Sequence, residues 1–309
     1  MAIGASGLLP SLALAIQEKA SLPLGVALFT LPKALSEDFE GTLKRISEIG
    51  YKEVEFFGPY PYSGEQANEN WKRSAGFLGF SGSGYFGRSA KEVRAILDRY
   101  KLTAPAIHVE IETLMNNMEG IAKYAHIIGH RYVGIASLPE HLRADMEGYK
   151  KAAELFNEIG RSAKSHGLTF FYHNHGYGHQ AMDGIVPFQY ILDHTDPELV
   201  KMEMDVFWFT AAGINPVKYL RENPGRFKLL HLKDMKELRT FPGDGGSMQE
   251  WMAMFPYLTD AGEGVIDLKA ILSEAKKNGA EHFFLEKDLT PNHEEALQKS
   301  FSYLSGLSI

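Results

Sequence analysis

Helices that stop on glycine and run at once into an apolar strand place the strongest constraint on this chain. The pattern occurs at Gly50, Gly129, Gly167 and Gly279, each closing a stretch of helical spacing. Short helix-to-strand turns of this kind leave successive strands parallel. Phe39–Ile49 shows the helical half of the unit, with apolar side chains at Phe39, Leu43, Ile46 and Ile49. Ser89 with Glu92 forms a capping box that opens a helix reaching Tyr100. The strands read from the apolar runs Leu24–Phe29, Glu53–Phe57, Thr103–His108, Arg131–Ala136, Phe170–His175, Val200–Asp205, Phe227–His231 and His282–Glu286. Between them, helices are expected over Leu114–Ile128, Ala144–His166, Val186–Leu192, Pro216–Glu222 and Asp267–Lys277, with a closing helix over His293–Leu304.

Eight strand–helix units close naturally into an α/β fold of the (β/α)8 TIM-barrel kind. A doubly wound open sheet is the rival, but no Gly-x-Gly-x-x-Gly follows the first strand. The 309 residues exceed the ~250 of a plain barrel, so insertions are expected. Residues 60–87 are rich in Gly, Ser, Asn and aromatics and lack a clear period. We read them as a long loop with at most a short helix, lying over the face where barrel chemistry occurs. Residues 21–309 are expected to form one barrel domain.

Residues 2–14 are apolar and small, and Ala13-Leu-Ala15 has the form of a signal-peptidase site without a charged start. Residues 1–20 are thus either a trimmed export signal or an N-terminal helix under the barrel. The first reading puts the protein outside the cytoplasm or in the periplasm, the second inside the cell. No stretch is long and apolar enough to read as a membrane span.

Composition narrows the chemistry. A net charge of -7 with scattered Lys and Arg argues against a nucleic-acid surface. The absence of cysteine excludes disulfides, thiolate zinc sites and thiol nucleophiles. A metal site must therefore draw on His, Asp and Glu.

Four strands end on such side chains: His173, Asp205, His231 and Glu286. In a parallel barrel the carboxyl ends of the strands meet at one rim. Each residue alone has a plainer use, Asp205 as a helix cap and Glu286 as a partner of Lys233 or Lys287. Two imidazoles and two carboxylates converging on one rim call for a cation. Manganese is the first expectation, with cobalt, magnesium or zinc as alternatives. His175, His108, Lys233 and Glu263 are the candidates for catalysis, and Glu55, Trp208 and His179 for substrate contact. The alternatives are an ion pair for Lys233, packing for Trp208 and a turn for Gly262-Glu-Gly264.

Several segments together carry a family resemblance. They are Asp38-Phe-Glu-Gly-Thr-Leu with Ile49-Gly-Tyr-Lys-Glu-Val-Glu55, Tyr172-His-Asn-His175, Asp205-Val-Phe-Trp208 with Gly213-Ile-Asn-Pro216, His231-Leu-Lys-Asp234, Gly262-Glu-Gly-Val-Ile-Asp267 and Leu285-Glu-Lys-Asp288. From Leu24 onward the chain resembles the xylose isomerase-like (sugar phosphate isomerase/epimerase) TIM barrels, a family that also includes endonuclease-four type nucleases. The resemblance implies a metal held by Glu or His after strand five, Asp after six, His after seven and Glu after eight, which here are His173, Asp205, His231 and Glu286. His173 stands where many epimerases have a proton-moving Glu. Trp208 stands where many members have a His, which weakens a multi-metal nuclease reading. Relatives with Asp-Val-Phe-Trp are often exported sugar-processing proteins.

The expected function is a divalent-metal-dependent sugar isomerase or epimerase that abstracts a proton next to a carbonyl. The alternatives are a lyase acting by β-elimination on 3-keto-glycosides and a non-catalytic sugar-binding barrel. The expected partner is a small sugar or sugar derivative, with no nucleic acid; homo-oligomer formation is left open.

Overall fold

The computed structural model describes residues 22–309, so both readings of residues 1–20 lie outside the described residues. Eight parallel strands close on themselves: β1 (Leu24–Ala27), β2 (Glu53–Phe57), β3 (Thr103–His108), β4 (Tyr132–Ile135), β5 (Thr169–His173), β6 (Val200–Asp205), β7 (Phe227–Leu232) and β10 (His282–Leu285). β10 pairs with both β7 and β1, which seals the barrel. A two-stranded antiparallel ribbon, β8 (Asp234–Met235) with β9 (Leu258–Thr259), stands outside it. Among the described residues no helix is long and apolar enough to cross a membrane.

Side chains alternate between two environments, as a strand period of two requires. Phe170, Tyr172, Met202, Met204 and Leu230 belong to the large core between sheet and helices. Ala27, Ala106, Phe171, Leu229 and Phe284 pack with Tyr132 as a separate cluster filling the lumen. Gly134 belongs to this second pattern: a Cβ there would lie 2.6 Å from the Phe171 ring and 2.5 Å from its carbonyl oxygen. Large lumen side chains thus dictate where the wall must be bare. Near the amino ends of the strands, His282 Nδ1 meets Glu53 Oε2 at 2.8 Å and Arg131 donates to His282 Nε2 at 2.9 Å.

The helices begin where the sequence supplies caps. Ser89 and Glu92 form both halves of the capping box that starts the helix Ala90–Arg99. Asp38, Asp145, Asn215 and Asp267 each accept from a backbone N–H in the first turn of their helices. Asn117 does the same, and so divides the helix expected over Leu114–Ile128 into Ile111–Asn116 and Met118–Ile128. The expected loop after β2 holds a fourteen-residue helix, Glu65–Leu78, ended by Gly79 in the left-handed region. A further helix, Met248–Met254, follows a capping box of Ser247 and Glu250.

Candidate active site

Strand register brings the polar side chains together. His173 pairs with Glu203, and Asp205 pairs with His231, across adjacent strands. Glu203 and Asp205 are two residues apart on β6, so both face the lumen. The amide oxygen of Asn174 accepts from the backbone N–H of Asp205 at 2.9 Å and fixes the end of β6.

The site has two levels. In the lower one, Glu203 Oε2 lies 2.7 Å from His108 Nε2 and 2.9 Å from His173 Nδ1. His231 Nε2 lies 3.4 Å from Glu203 Oε1 and 2.5 Å from Glu55 Oε2. In the upper level the Lys233 ammonium stands 3.0 Å from Asp205 Oδ2, 2.6 Å from Glu286 Oε2 and 2.9 Å from Asp288 Oδ2. His231 joins the levels, since its Nδ1 donates to Glu286 Oε2 at 2.8 Å.

Burial controls the charges. It pushes the Glu203 carboxyl up to about 7, and raises Glu55 and Asp205. Burial also works against charge on His231, but the carboxylates of Glu203, Glu286 and Glu55 overcome it and hold this imidazole protonated. The same contest holds Lys233 charged, through Asp205, Asp288 and Glu286. Burial alone would raise Glu286; Lys233 and His231 beside it hold it below the usual carboxylate range. His108, His173 and His175 are lowered by burial and stay neutral near pH 7, His175 down to about 3.

Above these groups opens a cavity of about 430 Å³, within the ~300–1,000 Å³ common for small-ligand sites. Its floor is His108, His173, His175, His231, Lys233, Glu286 and Asp288. Phe29, Phe57 and Trp71 form an apolar wall, and Glu110 and Ser137 add polar groups to the rim. His175 is held by stacking against Trp251, with ring centres 4.8 Å apart, and against Trp208 at 5.8 Å. Its Nδ1 has no hydrogen-bond partner.

A family model described as Xylose isomerase-like TIM barrel matches residues 43–306. The chain belongs to that family. Of its curated relatives, Inosose dehydratase 2 of Bacillus cereus is 31% identical over 113 residues, which is 35% of this chain and 37% of the relative. The chain thus aligns with well under two thirds of that relative's length. Among solved structures, a sugar phosphate isomerase/epimerase from Parabacteroides distasonis ATCC 8503 superposes with a TM-score of 0.72 at 20% identity, covering 96% of this chain and 98% of that one. The IOLI protein, solved with a bound zinc atom, gives a TM-score of 0.64 at 16% identity, covering 91% and 96%. At such identities these two structures speak for the fold alone.

Within this xylose isomerase-like barrel the expected residues divide. One ligand atom each from Asp205, His231 and Glu286 falls within 4.8 Å of the others, and so does one each from His108, His173, Glu203 and His231. The donor set fits a cation. Glu55, Glu203, Asp205, Glu286 and Asp288 crowd around one ammonium and one imidazolium, and Glu55 Oε1 and Glu203 Oε1 are buried without a hydrogen-bond partner. Asp205 also serves as the cap expected of it, its Oδ1 accepting from Phe207 and Trp208 N–H.

Four expectations need correction. Glu263 is half exposed, with Lys299 Nζ at 3.4 Å, and does not line the cavity. The glycines beside it form the turn given as the alternative, in which the N–H groups of Gly262, Gly264 and Ile266 wrap the Asp234 carboxylate. His179 is buried among Phe188, Phe209 and Tyr219, outside the cavity. Trp208 packs under His175 and against Phe241 and is 2% exposed, so the aromatic wall belongs to Trp71. Glu55 lies one level below the cavity floor, on His231.

Sequence reasoning missed Glu203, Asp288 and Glu110. Glu203 carried a usable signal, since it shares the inward phase of β6 with Asp205.

Proposed function

We propose that this barrel is a metal-dependent enzyme that moves the proton next to a carbonyl on a sugar or cyclic polyol ketone. The observation that carries this reading is the cavity floor, where neutral imidazoles and a cation-poor group of buried carboxyls meet an opening of sugar size. A bound divalent ion would supply Lewis acidity to the carbonyl oxygen and its neighbouring hydroxyl. His173, His231 and the carboxylates around them would hold it. The residues of the chain do the rest. Phe29, Phe57 and Trp71 take the apolar face of the ring and exclude water. His175, neutral and on the cavity floor, accepts the proton, and the stacked indole of Trp251 sets its plane. Lys233 holds Glu286 and Asp288 ionised at the floor.

Return of the proton from the solvent-exchanged pool gives an isomer or epimer. Loss of a β-hydroxyl as water, or of a β-glycosidic oxygen as an alcohol, gives a lyase. The stretch shared with Inosose dehydratase 2 favours this second outcome as the alternative. Both begin with the same proton transfer, so one experiment tests the common step. The protein is incubated in deuterium oxide with ketoses, 3-keto-glycosides and an inosose, with manganese added or with a chelator. Deuterium at the carbon next to the carbonyl, lost with chelator, is the expected result. No label in any substrate removes the reading, and label indifferent to chelator removes its metal.

A further inference from the structure

We infer that the divalent ion of this barrel sits in the lower level, on His108, His173, His231 and Glu203, rather than among the strand-end carboxylates of the family pattern. The inference rests on the metal dependence proposed above.

Convergence is the first argument. Glu203 Oε2 faces His108 Nε2 at 2.7 Å and His173 Nδ1 at 2.9 Å, and its Oε1 faces His231 Nε2 at 3.4 Å. One ligand atom from each of the four residues lies within 4.8 Å of all the others. Orientation is the second. His231 gives Nδ1 to Glu286 and so turns Nε2 inward, the carboxylate–imidazole arrangement that aims a ligating histidine. The third is want of a partner. Glu203 Oε1 and Glu55 Oε1 are buried and accept no hydrogen bond. Asp205 Oδ2 and Asp288 Oδ2 above are in the same state but have the Lys233 ammonium at 3.0 and 2.9 Å, so the carboxylate oxygens still calling for positive charge lie in the lower level.

The upper level already has its cation. Lys233 Nζ is 3.0 Å from Asp205 Oδ2 and 2.6 Å from Glu286 Oε2. A metal between those two oxygens would stand against an ammonium that three carboxylates hold in place, whereas the His231 imidazole becomes a ligand once Nε2 releases its proton. The lower set instead offers three imidazoles and one carboxylate, a donor mixture that favours zinc or cobalt over manganese. Its imidazoles line the cavity while Glu203 lies beneath them. An ion there is anchored from below and open to a ligand above.

Cobalt(II) added to chelator-stripped protein is the probe. X-ray absorption should count three coordinating imidazoles in the unaltered protein. By titration, His108→Ala and Glu203→Gln should each weaken cobalt binding by at least the ~10-fold that losing even an outer partner costs, while Asp205→Asn stays within a few-fold. The imidazole count needs no variant, so misfolding of Glu203→Gln does not remove the test. Cobalt bound by two imidazoles or fewer, with Asp205→Asn the more damaging substitution, overturns the inference and leaves the metal-dependent reading standing. Failure to bind cobalt or zinc at all overturns both.

Discussion

Lys233 and His231 share one oxygen of Glu286: the ammonium lies 2.6 Å from Oε2 and the imidazole Nδ1 donates to the same atom at 2.8 Å. Two cations on one carboxylate oxygen tie the ends of β7 and β10 together below the cavity. Removing the ammonium leaves Asp205, Glu286 and Asp288 facing one another without it. Lys233→Met should lower the free energy of unfolding by about 3–5 kcal/mol. The loss should shrink toward pH 5, where the orphaned carboxyls take up protons. Urea titrations at pH 8 and pH 5 measure both.

Trp71 supplies the broadest face of the apolar wall, packed on Phe57 with ring centres 5.8 Å apart. Its Nε1 donates to the Ser81 carbonyl and fixes the ring from behind. Trp71→Ala should raise KM several-fold, in line with ~1 kcal/mol of aromatic contact, with a smaller change in kcat. Trp71→Phe should recover most of it. Equal losses in kcat and kcat/KM would place Trp71 in the chemistry instead of in binding.

Asp234 follows Lys233 directly yet has a different task. Its carboxylate accepts from three backbone N–H groups of the turn at Gly262–Ile266. A Cβ on Gly264 would lie 2.2 Å from Asp234 Oδ1, so glycine is required by proximity. Asp234→Asn should cost about 1.5–3 kcal/mol, the worth of hydrogen bonds to a charged group, and Gly264→Ala should also destabilise. Turnover per folded molecule should hold in both, as measured by activity against the folded fraction.

His179 gives the barrel an acid sensitivity of its own. Burial lowers its imidazole to about 3, against 6.5 when unfolded. Between those values the unfolded chain binds the extra proton, so stability is full above pH 6.5 and falls as the pH drops. One such group contributes up to about 1.4 kcal/mol per pH unit. His130, lowered to about 4 by burial, acts in the same direction. His179→Phe keeps an aromatic ring against Phe188, Phe209 and Tyr219 and should flatten the slope between pH 6.5 and 5, read from denaturation midpoints.

The barrel was legible because its signals are local. Gly50, Gly129, Gly167 and Gly279 follow helices in the structure as they do in the pattern, and each has the positive φ that suits glycine there. The strand ends were legible for the same reason, since a two-residue period decides which side chains turn inward. The helix Glu65–Leu78 was not. Its sequence is polar on most sides, and it is held by Trp71 reaching Phe57 and Phe80 rather than by an apolar stripe. The pairing of Glu286 with Lys233 was legible as an alternative, but the gathering of Asp205 and Asp288 onto the same lysine was hidden. It joins the ends of three strands far apart in the chain, and no spacing within any one segment records it. Glu263 and His179 misled because a polar residue near a strand end need not face the lumen.

The ribbon of β8 and β9 has a bearing on how such a protein can change. Where the chain leaves β8 and where it re-enters β9 are clamped side by side, Lys236 N–H bonding to the Tyr257 carbonyl at 2.8 Å. The segment between, including the Trp251 ring that presses on His175, is held by that clamp and by Phe241, whose N–H bonds to the Ala211 carbonyl at 2.9 Å. Lengthening or exchanging it need not disturb a single barrel strand. Evolution, or an engineer, could reshape what the cavity admits through this segment, with His175, stacked on Trp251, the floor residue that feels the change.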